Sequence, residues 1–345
     1  MQDLLRDWWE KKYFRVVAYV AFAFFSFVVF LLMTFPDHRV KEITANQIEE
    51  VLDHRYDVRI NDMGFWRLTG VKMEGIRLEE RGEDDGDGAI GSGLTVQLEE
   101  LAGRFSPLRS LINRGPTASY RVDIGGGVVS GTAGQVGPNQ EVTVSLNNLD
   151  LQDSTLIDSL LGVRLLGNLD GDIELTIDPT TGIATGGRVD VTGEQLTLGE
   201  TVIRSDQIPI LTELDLPTTS FGSLNLQMDI EETENGSRVE FERFDLRGRD
   251  VQMEVWGHID LVPSGGRPDV EMRLQVSENY VTEHDLGAVF NMSEFREGEF
   301  ETDEGYWYGF AISGHFDNLD FRGSSDAGRG PEAGGGDEEA DGDGE

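Results

Sequence analysis

From Tyr56 onward, apolar residues recur at every second position in segments separated by glycine-rich or Asn/Asp-rich turns. Val142, Val144 and Leu146 alternate with Glu141, Thr143 and Ser145, and Ile173, Leu175 and Ile177 with Asp172, Glu174 and Thr176. Leu224 to Ile230, Val251 to Val255 and Val270 to Val276 repeat the pattern. Successive side chains of a strand point to opposite faces, so each segment specifies a half-buried antiparallel strand with one apolar and one polar side. Asp178-Pro179-Thr180-Thr181-Gly182 reads as one hairpin turn and Asn235-Gly236 as another, with both central positions of the second tolerant of positive φ. Beyond Phe241 the apolar parity slips to Phe244 and Leu246, which marks a bulge.

The strands are built as a loose repeat. Gly167-Asn168-Leu169, a strand, the turn at Gly182 and Arg188-Val189-Asp190 are echoed by Gly222-Ser223-Leu224, a strand, the turn at Gly236 and Arg238-Val239-Glu240. Gly257-His258-Ile259-Asp260 is echoed by Gly314-His315-Phe316-Asp317. Repeated strand pairs point to one long, curved antiparallel sheet, open or partly closed. Helical spacing of Val40, Ile43, Ile48 and Val51 predicts a membrane-proximal helix over 38–53, and two more short helices are expected over Ser154 to Leu161 and Thr282 to Asn291. Arg81 to Gly93 and the tail 323–345 are acidic and glycine-rich, with no means of burying a core. The fold class is therefore mainly β, and 36–322 forms the β-rich domain.

Ahead of that domain there is no charge between Val16 and Pro36. A bilayer core of about 30 Å needs roughly 20 apolar helical residues, which 16–35 supplies with only Ser26 and Thr34 as mild interruptions. The run is longer than the core of a cleaved signal peptide and ends in Met33-Thr34-Phe35-Pro36 without a small-x-small site, so it reads as a retained transmembrane anchor. Arg6, Lys11, Lys12 and Arg15 precede it, with Trp8, Trp9 and Tyr13 at interfacial positions. The positive-inside bias then places 1–15 in the cytoplasm and everything past Pro36 in the periplasm of a single-pass inner-membrane protein.

Composition narrows the partners. With 65 acidic residues against 28 basic ones, the formal charge is -37, and such a surface repels nucleic acid and anionic phosphate groups. Only Lys11, Lys12, Lys41 and Lys72 are lysines. High salt screens self-repulsion of this kind, so the chain reads as a halophilic acidic protein. There is no cysteine, which excludes disulfides, thiolate metal sites and redox switching. The five histidines, His38, His54, His258, His284 and His315, do not fall at metal-ligand spacing. His258 and His315 read as repeated strand-end residues. "DDGDGAIGSG" lacks calcium-loop ligands at Ala89 and Gly91, and Gly125-Gly126-Gly127 lacks the lysine and helix of a phosphate loop. No catalytic, cofactor-binding or metal-ligating residue is assigned, and no enzyme activity is expected.

Several segments resemble the type II secretion system protein N family, in its long form among delta-type proteobacteria. They are "LLMTFPDHRVK" at the end of the apolar run, "FSPLRSLINRGPTASYRVDIGGGVVSG" at 105–131, "LGNLDGDIELTID", "GRVDVTGEQLTLG", "DLPTTSFGSLNL" and "YGFAISGHFDNLDF". The likeness covers most of 10–322 and rests on glycine and apolar spacings, which are similar to those of AsmA-like periplasmic proteins as well. The first resemblance implies a strand-helix-strand unit at 105–131 and a non-enzymatic accessory subunit of a protein-secretion machine, with other secretion-system subunits as partners. The second implies a lipid-binding or lipid-transfer protein of the cell envelope, with acyl chains as ligands. The apolar sheet face separates the two: a scaffold covers it with its own helices, whereas a lipid carrier leaves it open.

Overall fold

The computed structural model describes residues 37–51, 56–66, 70–80, 95–113, 115–152, 163–203, 214–262, 265–302 and 305–326. The apolar run 16–35, the loop 81–93, the helix expected at Ser154 to Leu161 and the tail beyond 326 lie outside the described residues. Among the described residues no helix is long and apolar enough to cross a membrane.

Helix α1 (Asp37–Val51) leads into β1 (Tyr56–Trp66), β2 (Gly70–Glu80) and β3 (Thr95–Phe105). Helix α2 (Pro107–Asn113) precedes β4 (Thr117–Ile124), β5 (Gly127–Val136), β6 (Asn139–Asp150), β7 (Leu165–Ile177) and β8 (Ala184–Leu198). Next come a small pair, β9 (Thr201–Ile203) and β10 (Leu214–Leu216), and the strands β11 (Thr219–Thr233), β12 (Gly236–Arg247), β13 (Val251–Val262) and β14 (Gly265–Val276). Three short helices, α3 (Glu278–Glu283), α4 (Gly287–Phe290) and α5 (Ser293–Gly298), lead to β15 (Glu299–Thr302), β16 (Gly305–His315) and β17 (Asn318–Gly323). Apart from β9 and β10, the strands form a single open antiparallel sheet of 15, ordered β1 to β8, then β11 to β14, β16 and β15, with β17 also on β16. Nearly every strand lies beside its neighbour in sequence, as hairpin connections favour.

The turns show why these residues fold locally as they do. At 178–182 the Asp178 carboxylate accepts from Thr180 N at 2.8 Å, Gly182 N donates to Asp178 O at 2.8 Å, and Gly182 takes φ +72°. The second hairpin differs from the sequence reading by one residue. Thr233 pairs with Gly236, so the turn consists of Glu234 and Asn235, and Gly236 opens β12. Glycine is needed there for close approach, because a Cβ would fall on the Leu261 carbonyl oxygen of β13. The bulge is where the parity slip predicts it: Gln227 faces Arg243 and Met228 faces Phe241, leaving Glu242 as the extra residue.

The stretch expected as one helix over Thr282 to Asn291 instead holds the end of α3, which begins at Glu278, and the whole of α4, with α5 following beyond it. Ser277 caps α3 by accepting from Tyr280 N at 3.3 Å, and Asp285 adopts φ +54°, which ends that helix before α4 can begin. The helix expected over 38–53 is present as Asp37–Val51, with 52–53 outside the described residues. At the other end the sheet runs past Arg322: Gly323 pairs with Phe310, and Ser324 N donates to Gly309 O at 2.9 Å.

Candidate functional site

In an antiparallel sheet directly opposed residues share a face. One such row runs from β6 to β17 through Val144, Ile173, Val189, Met228, Phe241, Gly257, Val270, Ile312 and Phe321. It continues toward β1 through Gly131, Tyr120, Gly103, Val71 and Phe65. A neighbouring row holds Ala133, Val142, Leu175, Gly187, Ile230, Val239, Ile259 and Pro268. The repeat therefore has a physical meaning. Each strand contributes its apolar set to the same side, giving a continuous apolar face from one end of the sheet to the other. Thirteen inter-strand steps of about 4.8 Å make that face roughly 60 Å long, measured along the sheet.

Most of this face is not packed as a core. Val144, Ile173, Leu175, Val189, Met228, Phe241 and Val255 are only half-buried, and sixteen apolar side chains are buried among the described residues. Four of those, Ile124, Leu149, Leu151 and Leu196, form one cluster, with Val122, Val129, Leu169 and Leu224 packed against it. The two ends of the sheet are treated differently from its middle. At the first, α1 lies along β1, where Glu49 accepts from Val58 N at 3.1 Å and Lys41 donates to Asn61 O at 3.0 Å. Those bonds satisfy backbone groups on an edge strand that would otherwise invite pairing. At the last, α4 and α5 bring Phe290 and Phe295 onto Tyr308 and Phe310, with ring centroids 5.0 to 5.5 Å apart. Between these ends the apolar face carries the cluster around Leu151, which sits just beyond the end of β6 and is fully buried.

The opposite face is mostly polar, with Trp256 and the buried Trp307 as exceptions near its far end. Thr143, Glu174, Arg188, Asp229, Glu240, His258, Asp269, Ser313 and Asp320 form the row complementary to Val144 and Ile173. Lys72 bridges Glu74 and Glu100 at 2.8 Å each, Arg238 meets Asp260 at 2.8 Å, and Glu254 takes both Arg247 and Arg273. Carboxylates still outnumber cations there. The Glu242 carboxyl, hydrogen-bonded to Asp229 and repelled by it, is pushed above the usual glutamate range. Screening the repulsion of the chain's net charge of -37 with about 1 M potassium chloride should raise the thermal midpoint by roughly 4 °C or more, equivalent to about 1–2 kcal/mol for a domain of this size. A midpoint that stays flat or falls in a salt titration would contradict that expectation.

His315 closes β16 as a strand-end residue, whereas His258 lies inside β13, paired with Glu240 on one side and Asp269 on the other, so the strand-end reading holds for only one of the two. Gly257 and Gly314 both take left-handed φ, +106° and +108°, and each following histidine faces the aspartate two residues on, His258 to Asp260 at 3.8 Å and His315 to Asp317 at 3.4 Å. His284 stacks obliquely on Tyr280. Among the described residues no group of three or more His, Asp or Glu side chains is placed to hold a metal ion. Gly125 and Gly126 make the tight turn between β4 and β5 with φ +56° and +63°. The calcium-like loop lies outside the described residues. A cleft of about 410 Å³ opens between Arg249, Asp250, Gln275, Ser277, Glu278 and Tyr306. Its polar groups are committed to structure: Asp250 accepts from Ser220 N at 2.9 Å, and the Arg249 guanidinium holds its carboxyl below the usual aspartate range.

No protein-family model matches the chain, and no curated protein or solved structure matches it. What the geometry itself supplies is a long apolar surface, walled at both ends and backed by an acidic one.

Proposed function

We propose that this chain is a non-enzymatic, membrane-anchored protein of the bacterial envelope whose periplasmic sheet shelters lipid acyl chains. The observation that supports the reading is that apolar side chains along β6 to β13, from Val144 to Val255, stay only partly buried over five inter-strand steps, or roughly 24 Å, before the end that α4 and α5 cover. That span exceeds the ~15 Å reach of one acyl chain, taken as half of a ~30 Å bilayer core. Each methylene sheltered there contributes about 0.8 kcal/mol. An anchor at 16–35 would hold the sheet beside a lipid source.

The resemblance to the type II secretion system protein N family favours a second reading, an inner-membrane accessory or assembly component of that machine. The glycines on which the resemblance rests have backbone reasons in this sheet. A Cβ at Gly131, Gly171 or Gly222 would collide with the backbone of the neighbouring strand, and Gly314 needs its left-handed φ. In that reading secretion-system subunits meet the polar face or a strand edge.

Deletion in the native host separates the two. Loss of the chain is expected to sensitise the outer membrane to detergent while secretion of exported enzymes continues. Rescue is expected from the wild type and not from Ile173→Glu, which sets a charge in the middle of the apolar face. Lost secretion with an intact permeability barrier, or full rescue by Ile173→Glu, would favour the scaffold instead.

A further inference from the structure

Residues 101–122 contain four arginines and no Asp or Glu, in a chain where acidic residues outnumber basic ones by more than two to one. The same stretch carries the most exposed large apolar side chains among the described residues, Leu111 and Ile112 on α2, each 78 % exposed, with Phe105 at 46 %. Arg109 on α2 is exposed beside them. Arg104 lies over the Trp66 ring, 5.8 Å from its centroid. Glu141 is the one carboxylate that lines the shallow cleft beside Arg109 and Ile112, and exposed apolar tips with arginine next to them are suited to an anionic lipid interface.

The position of this patch in the sheet agrees. Trp66 pairs with Gly70, Gly70 with Arg104, and Phe105 with Ala118, so α2 and Trp66 lie on one rim. Helix α1 runs antiparallel to β1, since Glu49 meets Val58 whereas Lys41 meets Asn61 and Asp62. Continued one turn further, Asp37 lies toward the Phe65–Trp66 end. The chain thus leaves the uncharged run 16–35 and joins the sheet at the same corner that carries Trp66, Phe105, Leu111 and Ile112. Farther along that rim the hairpin tips are acidic, with Asp178 at one and Glu231, Glu232 and Glu234 at another.

We infer that this corner, built from Trp66, Phe105, Arg109, Leu111 and Ile112, is a second membrane contact that docks onto the anionic lipid surface around the anchor. The inference rests on the anchored reading and sharpens it. The acidic tips are repelled from the same surface, so the sheet is pinned at one corner and its long axis rises away from the bilayer. Phe65 and Val71, the first members of the apolar row, then sit next to the lipid.

The absence of cysteine makes the test direct, because one introduced cysteine is the only labelling site. Full-length chain carrying Leu111→Cys or Asn235→Cys is labelled with an environment-sensitive fluorophore and placed in nanodiscs of phosphatidylcholine, alone or mixed with phosphatidylglycerol, that contain nitroxide lipids. The label at 111 should be quenched in the anionic discs and lose that quenching in high salt, while the label at 235 stays in water. Adding Arg109→Glu should weaken the contact about fivefold or more, as expected per charge near an anionic surface. Equal, weak quenching at both positions in anionic discs would overturn the docking corner and leave the anchor standing, as would a label at 111 shielded by a second copy or by an acidic protein in place of lipid. A chain that fails to co-elute with the discs at all removes the anchor, and this proposal with it.

Discussion

Replacing Gly131 with valine should destabilise the sheet by about 3 kcal/mol or more, a drop in thermal midpoint of roughly 6–12 °C. Gly131 lies in the centre of β5, between Tyr120 of β4 and Val144 of β6. A Cβ there would fall on the Thr143 carbonyl oxygen, and it would also meet the Tyr120 hydroxyl at 2.7 Å. That hydroxyl donates to Thr143 O at 3.0 Å, so the Tyr120 ring crosses the glycine and fills the space its missing side chain leaves. Valine has to displace the ring, break the bond and separate two strands. Thermal unfolding followed by far-ultraviolet circular dichroism checks this, and Gly103→Val is the internal control, because nothing lies within 4 Å of a Cβ at that position. Equal midpoints for the two variants would contradict the packing described here.

Phe310→Ala is expected to cost about 3–5 kcal/mol, the range for removing a fully buried aromatic ring. Phe310 has no exposed surface. It stacks on Phe321 with centroids 4.9 Å apart and takes the edge of Phe295 at 5.1 Å, so its loss uncouples α5 from both β16 and β17. The damage should be local at first. Hydrogen exchange should quicken over α4, α5 and β17 before it does over β6 to β8. Uniform loss of protection along the sheet would show instead that the terminal plug and the central strands unfold as one unit.

Much of the fold was legible because local chemistry specifies it. Alternation fixed the strands from Val142 to Val276, the parity slip located the bulge at Glu242, and Asp178 to Gly182 announced its turn through a residue that must accept positive φ. The misses have equally local causes. The Asn235-Gly236 pair suggested a turn centred on both residues, whereas the glycine is used for close approach to Leu261, a contact made with a strand further along the chain. The split of 282–291 into separate helices depends on Asp285 adopting a left-handed conformation, which aspartate tolerates without signalling it. The positive φ values of Asn148 and Gln195, beside register shifts in β6 and β8, left no pattern in the apolar spacing. The candidate site was visible in outline, since alternating strands guarantee an apolar face. Which part of it is covered is decided by long-range packing, and that became visible only with α4 and α5 seen on Tyr308 and Phe310. The docking corner lay in plain view as an acid-free, arginine-bearing stretch, but its significance needed the antiparallel run of α1 along β1.

The claim that the apolar face holds lipid is tested most directly by placing a photo-crosslinking amino acid at Leu175 or Val255 in the full-length chain in cells. Both side chains point to the apolar face and are half-buried, and Glu174 and Gln252 on the opposite face serve as controls. Irradiation followed by mass spectrometry should yield phospholipid adducts at 175 and 255 and few at 174 or 252. Predominantly intramolecular adducts at 175 and 255, with lipid no more frequent there than at the controls, would contradict the account and return the face to the role of an internal core.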